Sequence, residues 1–122
     1  MPNGHLISIV DDDPSMRDAL AALVRSLGHD VRAFASAEEF LASSELDRFT
    51  CAITDIQMPG MNGFELKNQL SQRDSQMMVI MITARTESDL EERAIASGAT
   101  CFLRKPFEAE TLVSCLDKAL GG

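Results

Sequence analysis

Acidic, hydroxyl and ammonium side chains stand just past four short apolar runs. Asp11, Asp12 and Asp13 follow Leu6 to Val10, Asp55 follows Thr50 to Thr54, Thr83 follows Met77 to Ile82, and Arg104 and Lys105 follow Cys101 to Leu103. Taken singly, an aspartate in such a place is usually a turn former or a helix cap, and Asp13 before Pro14 reads that way. Three kinds of functional group at separate run ends seldom coincide through capping alone. If the first and third runs lie side by side, Asp11, Asp12 and Asp55 crowd three negative charges. That crowding raises carboxylate pKa values and opposes folding unless cations compensate. An oxygen-only donor set without a suitably spaced histidine favours magnesium over zinc. Mg²⁺ and Lys105 would together formally cancel the three carboxylates. A site of that kind, with open metal positions, can receive a phosphoryl group. Asp55 would serve as the nucleophile, the metal and Lys105 would neutralise the transferring oxygens, and Thr83 would donate its hydroxyl to one of them.

Holding these groups together requires elements of the right order. The runs Leu6 to Val10, Asp30 to Phe34, Thr50 to Thr54, Met77 to Ile82 and Cys101 to Leu103 read as five strands. Between them lie helical patterns. Met16, Leu20, Leu23, Val24 and Leu27 form an amphipathic stripe after Asp13 as N-cap and Pro14 at the first helical position, with Gly28 closing it. Ser36 and Glu39 have capping-box spacing, and Asn62 caps a helix carrying Leu66 and Leu70. A fourth helix contains Leu90, Ala94 and Ile95 and ends at Gly98, and a last one presents Leu112, Val113, Leu116 and Leu120. Strand starts 24, 20, 27 and 24 residues apart overlap the period of leucine-rich repeats, whose consensus is missing. Strands alternating with helices instead imply right-handed βαβ crossovers and a parallel α/β sheet covered on both faces. In such a sheet ligands bind beyond the carboxyl ends of the strands, where the functional groups stand.

Composition narrows the function. The chain has 122 residues, 45% of them apolar, which is one domain with a core of its own. Nineteen acidic against eleven basic residues give a net charge of −8, which makes this chain alone a poor binder of nucleic acid and of anionic membranes. The longest apolar run, Met77 to Ile82, is far short of the roughly 20 residues of a membrane span. Asp11 to Asp13 interrupt the only N-terminal apolar segment, so no export signal is read and a cytoplasmic location is expected. Cys51, Cys101 and Cys115 lie far apart with no CxxC pair, which suggests neither a disulfide framework nor a zinc site and fits a reducing compartment. Met58, Met61, Met77, Met78 and Met81 read as packing, and His5 and His29 as solvated. Glu87, Asp89, Glu91 and Glu92 meet the dipole at the start of the fourth helix.

The ordered set Val10-Asp11-Asp12-Asp13, Thr54-Asp55-Ile56-Gln57-Met58-Pro59-Gly60-Met61-Asn62-Gly63, Thr83-Ala84 and Lys105-Pro106-Phe107 resembles the receiver domain of two-component response regulators over essentially the whole chain. Phe34-Ala35-Ser36-Ala37-Glu38-Glu39-Phe40-Leu41 and Arg104-Lys105-Pro106-Phe107 are most similar to receivers of the FixJ type. The resemblance implies a CheY-like, flavodoxin-like (βα)5 doubly wound α/β fold, with a five-stranded parallel sheet in the order 2-1-3-4-5 and helices on both faces. It implies a single receiver domain over residues 1–122 and Asp55 as phosphoacceptor. Asp12 would bind magnesium directly, Asp11 chiefly through coordinated water, and Asp55 and the backbone carbonyl of Gln57 would complete the protein ligands. The identity of the Gln57 side chain is then less constrained and would tune the phosphoryl lifetime. Thr83 matches the switch hydroxyl, Lys105 the phosphate-binding lysine, and Phe102 the switch aromatic, whose other reading is a core residue of a short strand. A cis Lys105-Pro106 bond is implied against the ordinary trans turn.

The implied partners are a sensor histidine kinase or phosphotransfer protein and an output domain or effector. A phosphorylation-dependent homodimer through the fourth helix, fifth strand and fifth helix is also implied. No recognition helix or basic patch precedes Gly121-Gly122, so a DNA-binding output domain is either absent or lies outside these residues. Two other functions compete. An aspartate-nucleophile phosphatase needs a DxD nucleophile loop, whereas Asp55 is followed by Ile56 and Gln57, and no cap domain is available. A constitutive interaction module would have no use for an intact Asp11, Asp12, Asp55, Thr83 and Lys105. The expectation is therefore a switch that promotes its own magnesium-dependent phosphorylation and dephosphorylation, not an enzyme turning over external substrates.

Overall fold

The computed structural model describes residues 4–121. Strands and helices alternate along the chain as β1 (Leu6–Val10), α1 (Pro14–Ser26), β2 (Asp30–Phe34), α2 (Ala37–Leu41), β3 (Cys51–Asp55), α3 (Gly63–Gln72), β4 (Met78–Thr83), α4 (Leu90–Ala96), β5 (Cys101–Arg104) and α5 (Ala109–Leu120), with a 3-10 turn at Leu46–Arg48 before β3. The strands form one sheet in the order β2-β1-β3-β4-β5, every neighbouring pair parallel. The expected doubly wound topology is present.

Alternation along each strand divides the core into two layers, because successive side chains in a strand point to opposite faces. Leu6 and Val10 of β1, Ala52 of β3 and Val79 and Met81 of β4 pack with Phe40, Leu66, Leu70 and Ala94 from α2, α3 and α4. Ile7, Ile9, Ile53, Ile80 and Ile82 point the other way, onto Leu20 and Val24 of α1 and Leu112 and Leu116 of α5. Both faces are thus covered over β1, β3 and β4, which have almost no solvent side on which to alternate polar residues, while the edge strand β2 exposes Asp30 and Arg32 on either side of buried Val31. Phe34, Phe40 and Phe49 form an aromatic triangle with ring centroids 5.4 to 6.0 Å apart under α2.

Local chemistry sets the helix starts. Asp13 Oδ1 accepts from Ser15 N at 3.0 Å with Pro14 next in line, and Ser36 Oγ accepts from Glu39 N at 3.1 Å. Asn62 and Glu65 form a reciprocal capping box, at 2.8 and 2.9 Å.

Several expectations need correction. β3 and β4 each run one residue later than the apolar runs suggest, so Asp55 and Thr83 are themselves the last strand residues, and β5 extends through Arg104. The ladder explains this: Ile56 N donates to Ile82 O and Lys105 N to Thr83 O, both at 2.8 Å, so backbone pairing outlasts side-chain hydrophobicity. Met78, read as packing, is 43% exposed, and Ile95 of the fourth helix is 52% exposed, while Cys115 and Ala119 fill the inner face of α5. His5 and His29 are partly buried against each other, His5 N donating to His29 Nδ1 at 3.2 Å. Burial, helped by His5 and opposed by Asp117, holds the His29 imidazole below its ordinary pKa. The expectation of no disulfide also fails. Cys101 and Cys115 are bonded, with Cα atoms 5.9 Å apart, because α5 returns across the end of β5. Of the residues at the chain's end, Gly122 lies outside the described ones.

Candidate functional site

The polar groups gather at the carboxyl edge of the sheet, beyond β1, β3, β4 and β5. Asp11 continues the sheet past β1, its backbone N donating to Phe34 O at 3.1 Å, and the residue as a whole is 1% exposed. Asp12 is exposed. Asp13 caps α1 as expected, and its backbone N also donates to Asp11 Oδ1 at 2.9 Å. Arg17 Nη1 on the first turns of α1 holds the Asp11 carbonyl at 2.8 Å. Asp55 ends β3 at 9% exposure, and Gln57 N donates to its Oδ1 at 3.1 Å.

Lys105 joins the two buried carboxylates. Its Nζ lies 3.1 Å from Asp11 Oδ2 and 3.1 Å from Asp55 Oδ2. Each carboxylate therefore has one oxygen on the ammonium and the other on a backbone amide. Asp11, Asp12 and Asp55 each offer a carboxylate oxygen, and these atoms all lie within 4.8 Å of one another. Three carboxylates against one ammonium leave a formal deficit of two positive charges. A divalent cation would supply that deficit, and an all-oxygen donor set with one exposed member fits an ion that keeps part of its water shell.

The electrostatics record the strain of this packing. Burial pushes the Asp55 carboxyl above its usual pKa, and the Asp11 charge adds to the rise, while Lys105 and the Gln57 amide pull the other way. For Lys105, burial favours the neutral amine, but hydrogen bonding to Asp11 and the charges of Asp55 and Asp11 outweigh it and raise its pKa.

Thr83 is fully buried and turned elsewhere. Its Oγ1 donates to Gln57 Oε1 at 2.9 Å and accepts from Arg85 N at 3.0 Å. Phe102 is partly buried and packs with the α2–α4 layer, with the Arg104 guanidinium 5.1 Å from its ring centre. The Lys105-Pro106 bond is cis, as the resemblance implied.

Four features of the site were not legible in the residue pattern. The Gln57 side chain, whose identity the resemblance leaves less constrained, is the hydrogen-bond partner of Thr83. Arg104 grips the loop between β4 and α4 through the carbonyls of Arg85 and Glu87; its place beside Lys105 was the only signal. Glu38 on α2 reaches across to accept from Met61 N at 2.9 Å, which steadies the loop after Asp55. Gly63 opens α3 so near the end of β3 that a Cβ there would stand 2.8 Å from Asp55 O and 3.0 Å from Ile56 Cα. Only glycine lets the helix start against the backbone that carries Asp55.

Comparison with known proteins agrees with this geometry. The family model described as the response regulator receiver domain matches residues 7–117. The transcriptional regulatory protein FixJ of Azorhizobium caulinodans is 38% identical over 122 residues, covering 99% of this chain and 57% of that protein. The response regulator protein TodT of Pseudomonas putida is 36% identical over 115 residues, 94% of this chain and 51% of its own. The chain thus spans little more than half the length of these curated relatives. Among solved structures, FixJ-N superposes with a TM-score of 0.86 at 30% identity, over 96% of this chain and 94% of that one. The chemotaxis protein CheY4 of Vibrio cholerae gives 0.84 at 31%, over 94% and 98%. The chain belongs to the response regulator receiver domain family, the phosphorylation-activated switches of two-component signalling.

Proposed function

We propose that Asp55 takes a phosphoryl group from a phosphohistidine on a sensor histidine kinase or phosphotransfer protein. The observation that carries this reading is the single ammonium of Lys105 shared at 3.1 Å between Asp11 and Asp55, with Asp12 completing a three-carboxylate cluster. An Asp55 carboxylate oxygen attacks phosphorus as the phosphorus–nitrogen bond of the donor breaks, and the leaving imidazole keeps the bonding electrons. Lys105 is placed to follow the charge that moves onto the transferred oxygens. Asp11, Asp12, Asp55 and the backbone carbonyl of Gln57 would hold Mg²⁺, which when bound offsets negative charge on carboxylates and phosphoryl oxygens. Thr83 must give up Gln57 to donate to the phosphoryl group, and Phe102 would then follow it inward. Hydrolysis of the acyl phosphate in the same site resets the switch.

The changed surface on α4, β5 and α5 would act on an output domain or effector, or pair two copies of the chain as a homodimer. Residues 1–122 form one receiver domain in this reading, and the DNA-binding output, if there is one, belongs to other residues. Among the described residues no helix is long and apolar enough to cross a membrane. With a kinase as donor, the expected place of action is the cytoplasm.

The test is incubation with radiolabelled phosphohistidine kinase in the presence of Mg²⁺. Acid-stable, alkali-labile label on the wild type, absent from Asp55→Asn and from chelator-treated protein, is expected. Label that persists in Asp55→Asn, or a wild type that takes none from any kinase or from acetyl phosphate, would overturn the reading.

A further inference from the structure

A second reactive pair lies outside the acidic site. Cys101 opens β5 and Cys115 lies within α5, with Cα atoms 5.9 Å apart, inside the range that a disulfide bridges without backbone movement. Cys101 is partly buried and Cys115 is 7% exposed. Cys51, the remaining cysteine, is fully buried in β3, and burial pushes its thiol up to about 12, so it stays protonated at neutral pH and inert. Thiol chemistry is thereby confined to one pair with one accessible member. Intracellular disulfides are usually transient or redox-sensing.

We propose that Cys101 and Cys115 form a reversible, redox-controlled cross-link between β5 and α5, made by exchange with a low-molecular-weight disulfide. The Cys101 thiolate attacks one sulfur of glutathione disulfide, and that sulfur–sulfur bond breaks to release one glutathione thiolate and leave a mixed disulfide on Cys101. The Cys115 thiolate then attacks the Cys101 sulfur and expels the second glutathione. Two protein thiols lose two electrons and two protons in all. One glutathione disulfide gains both and becomes two glutathione thiols. The link joins the strand residue next to Phe102 to a helix whose Leu112 and Leu116 sit in the sheet core. Oxidation therefore limits movement of α5 against β5. That this restrains the signalling surface rests on the proposed switch, whereas the bond itself does not.

The full chain is reduced, freed of reductant and equilibrated across glutathione to glutathione disulfide ratios. It is then unfolded, alkylated with N-ethylmaleimide and weighed. The expected result is three adducts under reducing ratios and one, on Cys51, under oxidising ratios, with full return when the ratio is reversed. Amide hydrogen exchange in β5 and α5 is expected to slow in the oxidised form. Cys101→Ser and Cys115→Ser each remove the link and the difference in exchange, and Asp55→Asn keeps both, which separates this inference from the phosphorylation reading. Three adducts at every ratio, glutathione retained on Cys101 without closure, a link that excess glutathione does not reopen, or unchanged exchange would each overturn it.

Discussion

Replacing Lys105 with methionine isolates the charge that holds the site together. The side chain is 16% exposed, and it faces Asp11 at 2% and Asp55 at 11%, each at 3.1 Å. At an effective dielectric near 20, each contact is worth about 5 kcal/mol of Coulomb energy, most of which desolvation takes back. Removing one partner of a buried pair nevertheless costs about 3–5 kcal/mol, since the charges left behind are neither paired nor hydrated. Here the two remaining carboxylates also repel each other. With an unfolding entropy of about 2.1 cal/mol/K per residue over 122 residues, 1 kcal/mol is about 4 °C, so Lys105→Met should lower Tm by about 12–20 °C. Methionine keeps the stem's apolar packing, which leaves the charge as the variable. Calorimetric melts of Lys105→Met, Asp55→Asn and the double variant complete the cycle. The loss should be much smaller in the Asp55→Asn background, and should shrink in the single variant as pH falls and its carboxylates protonate. A loss of under about 2 °C, within the range of an ordinary surface substitution, would refute the account, as would an equal loss in both backgrounds.

Mg²⁺ at a hundredfold its half-saturating concentration should stabilise the fold by about 2.7 kcal/mol, or about 10 °C in a thermal melt. Monovalent salt of matched ionic strength should give only a small part of that rise, and an equal rise in Asp12→Asn would count against the acidic cluster. Asp55 has a folded-state pKa raised chiefly by burial, so its contribution to stability is present below its unfolded pKa and lost as pH rises through the folded value. Asp55→Asn should therefore be more stable than the parent at neutral pH, with the gap closing toward acid; urea midpoints across pH would expose a gap that widens instead. Gly63→Ala places a Cβ 2.8 Å from Asp55 O, an overpacking expected to cost about 1–3 kcal/mol, read as a Tm lower by about 4–12 °C. The same variant should accept phosphoryl groups more slowly, and an unchanged melt and transfer rate would show that the start of α3 does not fix Asp55.

Local sequence carried most of the fold because its signals agreed with one another. Asp13-Pro14, Ser36 and Asn62 begin helices where cap chemistry requires, and the apolar runs at β1, β3 and β4, too short for helices, are strands buried almost throughout. The acidic site was legible for a related reason: a parallel sheet sends every strand's carboxyl end to one edge, so residues 11, 55 and 105 converge whatever their separation in the chain. What stayed hidden depends on side-chain reach or on the packing of one element over another. No spacing rule pairs Gln57 with Thr83, sends Glu38 to Met61 N, or tells that α5 brings Cys115 back over Cys101. The strand ends were misplaced by a residue because hydropathy marks burial, whereas the ladder continues through Asp55, Thr83 and Arg104.

The bond between Thr83 and Gln57 gives the proposed switch its threshold. A neutral hydroxyl-to-amide hydrogen bond contributes about 0.5–1.5 kcal/mol net, whereas a hydroxyl donated to a charged phosphoryl oxygen contributes about 1.5–3 kcal/mol. Moving the Thr83 hydroxyl from one acceptor to the other would thus favour the active arrangement by about 1–1.5 kcal/mol, a population shift of roughly five- to thirteenfold. That is too little to drive the equilibrium to completion, which takes about 5.5 kcal/mol from one extreme to the other. In the proposed switch Lys105, whose ammonium is bound to Asp55, would add to this shift. Unphosphorylated, its ammonium is shared between Asp11 and Asp55, so any increase of negative charge on Asp55 draws it away from Asp11 and pulls on the end of β5. Thr83 at the end of β4 and Lys105 just past β5 are joined by the backbone bond from Lys105 N to Thr83 O. In the proposed switch a charge added to Asp55 would be felt by both neighbours through one pair of strands, and the Gln57 side chain, which holds the Thr83 hydroxyl, would oppose their movement.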